Sequence, residues 1–282
     1  MGGYLVEQDL FDFLLFSLPD NDTHSHRHGP EGQVRSIGEA DRALERMTHA
    51  AGGVDRFLED HAVIVMSDHS QTAVGERVNL AGALDTWRVL GPADPLPDEA
   101  ELAVCPNARS AMVYALDEAG RERTVQRVAH ELRRIDGVEI TAHRAGGEGV
   151  VWSKRGELRF APDGDLEDGR GRSWSVEGEL AALGLERKDG RVAGDLYPDA
   201  LGRLWSAIDC PTAGDVVVSA APGYEFVDWG GADHVPGGSH GSLGAGDSNG
   251  TLVMCGVDAP ARDEWSIADV TPLILDHFSI SS

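Results

Sequence analysis

Residues 61–70 have the sequence His-Ala-Val-Ile-Val-Met-Ser-Asp-His-Ser, in which an apolar run ends in a polar cluster. The unbroken apolar and β-branched run over 62–66 is typical of a parallel strand that is covered on both faces. A short helix is predicted before it, over Val54–Asp60. Open α/β sheets place their ligands at the carboxyl ends of their strands, so we expect Asp68 and His69 to line a functional site.

The residues before this strand are predicted to form an apolar segment, a loop and a helix. The apolar stretch 10–18 is predicted as a short buried strand, and the prolines and glycine of residues 19–30 predict a loop. Ser36 and Glu39 have the spacing of a capping box, which predicts a helix that starts there and ends at Gly52–Gly53.

The rest of the chain contains further predicted strands and two helices. The strand candidates are residues 102–105, 111–116, 216–218 and 252–254, together with a strand that begins at residue 137. Residues 150–152 and 158–160 are predicted to form a hairpin. An apolar stripe at helical spacing is formed by Val125, Val128, Ala129, Leu132 and Ile135. Thr271 before Pro272 predicts the start of a closing helix.

A change in residue pattern along the chain predicts two structural parts. Three prolines between residues 92 and 97 predict a linker, and the following segment has the pattern of a small α+β unit. We therefore predict an α/β core formed by residues 1–85 and 200–282. Residues 86–199 are predicted to form a smaller α+β insertion or cap over or beside the main sheet.

The composition predicts an acidic, globular protein. Of 282 residues, 41% are hydrophobic and 26% are charged, and 24 Lys and Arg against 48 Asp and Glu give a net charge of −24. Nucleic-acid polymers and anionic membranes require an excess of cations at the contact, so neither is expected as a partner. Cys105, Cys210 and Cys255 are odd in number and widely spaced, which favours buried thiols in a reducing, cytoplasmic compartment over a redox or zinc-thiolate role.

Three short segments concentrate side chains that bind metals. They are Asp22-x-x-x-His26, the pair Asp68-His69, and Gly-Gly-Ser-His-Gly-Ser at residues 237–242. Carboxylates and imidazoles are common zinc ligands, and glycines beside a histidine let the backbone approach a metal or its bound anion. Each segment alone also fits a simpler structure: a solvated loop, a hydrogen-bonded turn or a glycine-rich turn.

Taken in this order, the three segments resemble the type I phosphodiesterase/nucleotide pyrophosphatase branch of the alkaline phosphatase superfamily. Residues 22–30 match the family pattern Asp-x-x-x-His-x-x-Gly-Pro, residues 67–69 match Ser-Asp-His, and residues 238–241 match Gly-x-His-Gly. The resemblance covers residues 10–85 and 200–282.

The resemblance implies a fold, a metal site and a reaction. The fold would be an alkaline-phosphatase-like three-layer α/β sandwich. One zinc ion would be held by Asp22, His26 and His240, and the second by Asp68 and His69 with an early Asp and a Thr or Ser nucleophile. The substrate would be a small phosphate mono- or diester. Two zinc ions suit in-line displacement at phosphorus because they stabilise both the attacking and the leaving oxygen.

The sequence departs from the family pattern at its N-terminus. In the family the early Asp and the nucleophile lie in a long segment before the Asp22 loop, and only 21 residues precede Asp22 here. Thr212, Thr23 and Ser25 were considered as substitutes, and none has the expected context. We therefore expect this chain to lack the nucleophile. A complete site would bind two zinc ions, and the alternative is that this chain alone binds one. The missing strands would also leave an exposed sheet edge, which a partner chain or a second copy of this chain would cover.

Three functional hypotheses stay open at this point. The first is a metal-dependent hydrolase of phosphate esters that needs the missing segment for full activity. The second is a non-catalytic metal-binding remnant or the subunit of a split enzyme. The third is an unrelated acidic protein that stores metal through His24, His26 and His28. His234, six residues before His240, is interpreted as a hydrogen-bonded or surface residue, with a supporting role at the site as the alternative.

Overall fold

A computed structural model of the chain describes residues 1–91, 99–262 and 264–280. The predicted linker prolines between residues 92 and 97 lie outside the described residues. The chain divides by its internal contacts into two units. Unit 1 comprises residues 1–24, 32–70 and 250–282, and unit 2 comprises residues 25–31 and 71–249. No helix in the described parts of the chain is long and apolar enough to cross a membrane.

The described residues form short and long helices together with many strands. The helices are α1 (Gly2–Glu7), α2 (Asp20–His28), α3 (Gln33–Ala50), α4 (Val54–Asp60), α5 (Leu80–Ala83), α6 (Arg121–Leu132), α7 (Ala200–Asp209), α8 (Ala245–Ser248) and α9 (Ile267–His277), with 3-10 turns at Pro30–Gly32 and Leu180–Leu183. The strands are β1 (Val63–Met66), β2 (Thr72–Val74), β3 (Glu76–Val78), β4 (Leu102–Asn107), β5 (Ser110–Ala115), β6 (Val138–Ala145), β7 (Glu148–Ser153), β8 (Gly156–Asp168), β9 (Ser173–Gly178), β10 (Glu186–Lys188), β11 (Arg191–Ala193), β12 (Val216–Ala220), β13 (Tyr224–Phe226), β14 (Gly237–Ser239) and β15 (Leu252–Cys255).

A nine-stranded, mostly antiparallel sheet organises unit 2. Its order is β10-β11-β8-β7-β6-β12-β5-β4, with β9 paired to β8. The only parallel pair of this sheet in the described residues is β11 with β8. The predicted hairpin around residues 154–156 is confirmed by the antiparallel register of β7 with β8. The side-chain burial of β5 alternates along the strand, as expected when one face packs against a core.

Helices pack on both faces of this sheet. One core contains the buried stripe of α6 against β4, β5 and β12, and the other contains the apolar face of α7 against β6 and β7. Strand β12 contributes to both: Val216 and Val218 belong to the α6 core, and Val217 packs against the α7 core. The helix–sheet–helix layering agrees with the predicted α/β sandwich class.

The sheet does not follow the predicted division into a core and an insertion. Strand β12 was assigned to the core of residues 1–85 and 200–282, yet it lies between β5 and β6, which were assigned to the insertion of residues 86–199. A strand that is apolar on both faces needs a strand neighbour on each side and a core on each face, and β5 and β6 provide these neighbours. Residues 71–249 accordingly fall within one unit.

Unit 1 differs from its prediction in how its strands are covered. Strand β1 pairs antiparallel with β15, rather than lying in a parallel sheet. Val65 and Met66 are 40% and 37% exposed, so the strand is not buried on both faces. The stretch 10–18, predicted as a buried strand, has no regular secondary structure, and Leu15 is 84% exposed. Among the described residues, β15 is the only strand that pairs with β1. A single neighbouring strand leaves part of the apolar run 62–66 exposed to solvent. The prediction of buried thiols was also wrong, since all three cysteines of the chain are exposed.

Three helix boundaries also differ from the predictions. Residues 19–30 contain α2 rather than a loop, because acidic residues in its first turn and basic residues in its last turn favour a helix through its dipole. Ser36 lies inside α3, where its hydroxyl donates to Asn21 Oδ1 at 2.8 Å instead of capping the helix. Helix α9 begins one turn before Thr271, at a capping box formed by Ser266 and Asp269.

A buried ion pair joins the loops of unit 2. The guanidinium of Arg109 pairs with the carboxylate of Asp247, and the two side chains are 3% and 1% exposed. Arg109 also donates to the backbone carbonyls of Tyr224 and Ala221, at 2.9 and 3.0 Å. Asp247 accepts a further bond from the Ser242 amide at 2.8 Å. Both charges are therefore compensated in the interior.

Replacing Arg109 with Met is expected to lower the free energy of unfolding by about 3–5 kcal/mol, because Asp247 would be left as an unpaired buried charge. Urea unfolding measures this loss. Arg159→Met is the control, since Arg159 and Glu148 form an exposed pair at 3.4 Å whose removal costs under about 1 kcal/mol. Equal losses for the two variants would contradict the assignment.

Candidate functional site

The predicted metal ligands lie on short elements in both units. Asp22, Asp68 and His69 belong to unit 1, and His26 and His240 belong to unit 2. Asp22 and His26 are one helical turn apart in α2, so the helix presents them on one face. The predicted metal-binding loop is thus a helix, which holds the spacing of this pair more firmly than a loop would.

Asp68 and His69 follow β1 in a turn that links their side chains. The backbone N–H of His69 donates to Asp68 Oδ1 at 3.0 Å. The His69 Nδ1–H donates to the carbonyl of Ser70 at 3.0 Å, and its Nε2 lies 3.6 Å from Asp68 Oδ2. The predicted polar cluster at the end of the strand is therefore a turn whose imidazole and carboxylate face each other.

His26 is held by a backbone carbonyl of the glycine-rich segment. Its Nδ1 lies 2.8 Å from the carbonyl oxygen of Gly238, and a carbonyl can only accept, so Nδ1 carries the proton. The lone pair of the ring then lies on Nε2. Zinc-binding histidines characteristically donate their second ring N–H to a carbonyl or carboxylate in this way. His26 and His69 both have this arrangement, and their donor atoms fit a divalent metal.

The glycines before His240 permit a close approach of backbone to backbone. A Cβ on Gly237 would lie 2.1 Å from the carbonyl oxygen of His26, and one on Gly238 would lie 2.5 Å from that of Ser25. Such distances exclude any side chain unless the backbone moves. These glycines were predicted to let the backbone approach a metal or its bound anion, and in the structure they bring β14 against the last turn of α2.

Three imidazole rings cluster beside a pocket of unit 2. The ring of His26 stacks on that of His234, with centroids 3.8 Å apart and planes inclined by 24°. The centroid of His240 lies 5.1 Å from that of His26. The pocket has a volume of about 250 Å³. The carboxylate and imidazole side chains that line it are those of His26, Glu225, Asp228, Asp233, His234 and His240.

Glu225 is the buried acid of this cluster. Its side chain is 1% exposed, and its Oε1 accepts from His234 Nδ1 and from Ser239 Oγ, each at 2.6 Å. Its Oε2 accepts from the backbone N–H of His234 at 2.7 Å. The expected hydrogen-bonded state of His234 is confirmed. Its partner could not be found from the sequence, because a single Glu in a short strand has no motif around it.

The charges of the pocket are predominantly negative. The guanidinium of Arg77 donates to Asp233 at 2.9 Å and holds the pKa of that carboxyl below its ordinary value. Asp228 Oδ1 accepts from the Ala232 amide at 2.8 Å. A pocket lined by carboxylates and imidazoles attracts cations and repels a bare phosphate, unless a bound metal reverses the local field.

Two of the three hydroxyl residues named as possible nucleophiles lie in positions that do not suit this role. Ser25 is fully buried within α2. Thr212 lies in the turn before β12, with its Oγ1 3.4 Å from the sulfur of Cys210. Neither observation favours a catalytic role for these two residues.

The chain matches a known protein family over most of its length. A family model described as type I phosphodiesterase / nucleotide pyrophosphatase matches residues 4–243. The match runs through the segment 86–199 that the sequence analysis could not relate to the motifs. No curated protein matches the chain.

Replacing Gly238 with Ala is expected to lower the free energy of unfolding by about 1–3 kcal/mol, because the new Cβ would overlap the Ser25 carbonyl and separate β14 from α2. Gly75→Ala is the matched control, since a Cβ there meets nothing within 4 Å. This control should be neutral or stabilising by up to about 1 kcal/mol. Urea unfolding of both variants measures the difference, and a neutral Gly238→Ala would contradict the close approach.

Proposed function

The chain belongs to the type I phosphodiesterase/nucleotide pyrophosphatase family, and we propose that it acts as a zinc-dependent hydrolase of phosphate mono- or diesters. The family is one of phosphoester hydrolases, and the finer assignment of metal and substrate is the proposal. The observation that carries it is the bond from His26 Nδ1 to the Gly238 carbonyl, which favours coordination of zinc through Nε2 of a predicted ligand.

The proposed ligands follow the family pattern residue by residue. Asp22, His26 and His240 correspond to the ligands of one zinc ion, and Asp68 and His69 contribute to a second. The tautomer of His69, set by the Ser70 carbonyl, supports its place in this set. Bound zinc would supply the positive charge that stabilises the developing negative charge on the phosphoryl oxygens.

The residues of the pocket support a requirement for that metal. Glu225, Asp228 and Asp233 place carboxylates around the imidazole cluster, and the whole chain has a net charge of −24. A phosphate ester would meet unfavourable electrostatics in such a pocket. Affinity for the substrate must therefore depend on the metal, while the protein side chains orient the ligands.

The second candidate is a non-catalytic metal-binding protein. It is favoured by the positions of Ser25, buried in α2, and Thr212, in contact with Cys210. This candidate predicts tight zinc binding without turnover, whereas the hydrolase predicts both.

Zinc content and turnover of bis-p-nitrophenyl phosphate and p-nitrophenyl phosphate test these alternatives. The hydrolase should bind zinc and lose at least about 100-fold in rate when a chelator removes it. Zinc binding with no turnover would select the non-catalytic candidate. Turnover that persists without zinc would contradict the proposal.

His240→Ala is expected to weaken zinc binding by more than the roughly 10–100-fold that loss of a supporting residue costs, since it removes a ligand. His24→Ala is the matched control and should leave zinc binding unchanged. Competition titration with a zinc chelator measures both affinities. The reverse result, with His24 essential and His240 dispensable, would favour metal storage by the histidines of α2.

A further inference from the structure

We propose that Glu225 and His234 form a positioning pair that fixes the orientation of the His26 imidazole. Neither residue belongs to the three motifs that led to the family. The inference rests on the proposed function, because it takes His26 to be a metal ligand. It adds to that function the residues that hold this ligand in place.

Glu225 connects two backbone segments through one carboxylate. It lies in β13 and accepts three hydrogen bonds, two from His234 and one from Ser239 in β14. A carboxylate that is 1% exposed is stable only when donors satisfy its oxygens. The residue therefore fixes the position of His234 relative to β14.

The same two segments provide the contacts of His26. Its Nδ1–H donates to Gly238, the residue before Ser239 in β14, and its ring stacks on His234. The hydrogen bond sets the tautomer and the direction of Nδ1. The stacked ring of His234, with its centroid 3.8 Å from that of His26, restricts tilting of the His26 ring out of its plane. Together they define the direction in which Nε2 points.

Removal of one member of the pair should therefore act on His26 rather than on the fold. His234 is accessible, with 41% of its side chain exposed, so its truncation leaves no large cavity. Glu225→Gln keeps the size of the side chain but replaces an acceptor with a donor, which cannot satisfy both His234 N–H groups and the Ser239 hydroxyl.

The first readout is the His26 ring in zinc-free protein. Long-range 1H–15N NMR distinguishes the two imidazole nitrogens, and comparison with His26→Asn identifies the signal among the 11 histidines. The wild-type protein should show a single tautomer protonated at Nδ1. His234→Ala and Glu225→Gln should move the two nitrogen shifts toward each other, as expected for a ring that loses its fixed contact with the Gly238 carbonyl and exchanges between its two tautomers.

The second readout is zinc affinity, measured by chelator competition. His234→Ala and Glu225→Gln should weaken it by about 10–100-fold, the usual effect of losing a residue that orients a ligand. His234→Phe keeps a flat ring over His26 but loses the bond to Glu225, and should recover part of the affinity. His130→Ala, at an exposed histidine of α6, is the matched control and should bind zinc as the wild type does. The urea midpoint of each variant shows that it is folded.

The outcomes separate this inference from the proposed function. If the wild type binds zinc and the variants match it in affinity and in His26 signals, the positioning role is overturned and the proposed function stands. If the wild type binds no zinc, the proposed function is contradicted. In that case the zinc-free NMR comparison still decides whether Glu225 and His234 hold the ring.

Discussion

The contact between the last turn of α2 and β14 is the constraint on which the unit 2 part of the site depends. It requires two successive residues without side chains, because the carbonyls of Ser25 and His26 occupy the space where each Cβ would lie. That approach brings the Gly238 carbonyl within 2.8 Å of His26 Nδ1. Gly237 and Gly238, the second of which opens the Gly-x-His-Gly pattern, thus act on a histidine more than two hundred residues earlier in the chain.

One acidic residue, Glu225, has a structural role at this site. Glu225 is buried, and among the described contacts it pairs with no Lys or Arg. Its three hydrogen bonds organise an imidazole cluster instead. A pocket lined by carboxylates and imidazoles is suited to binding a cation first and a phosphate ester only through that cation.

Much of the local structure could be predicted from residue periodicity, and the parts that could not depend on distant partners. Helix α4 matches its prediction over Val54–Asp60, and the β7–β8 hairpin was correctly placed, because both follow from neighbours in sequence. The prediction that β1 is covered on both faces was wrong, since an apolar run does not reveal which strands lie beside it. The proposed ligand histidines could be recognised from motifs, whereas Glu225 becomes identifiable only when β13 and β14 are seen together.

The place of β12 also determines the order in which the large sheet can be completed. β5, α6 and β6 form a crossover whose two strands are not neighbours, since β12 pairs antiparallel with both. During synthesis these strands emerge about seventy residues or more before Val216–Ala220. Until then each has an edge of unpaired backbone amides that favours association with other chains. Completion of the sheet therefore waits for this one late segment, which makes it the step at which folding and aggregation compete.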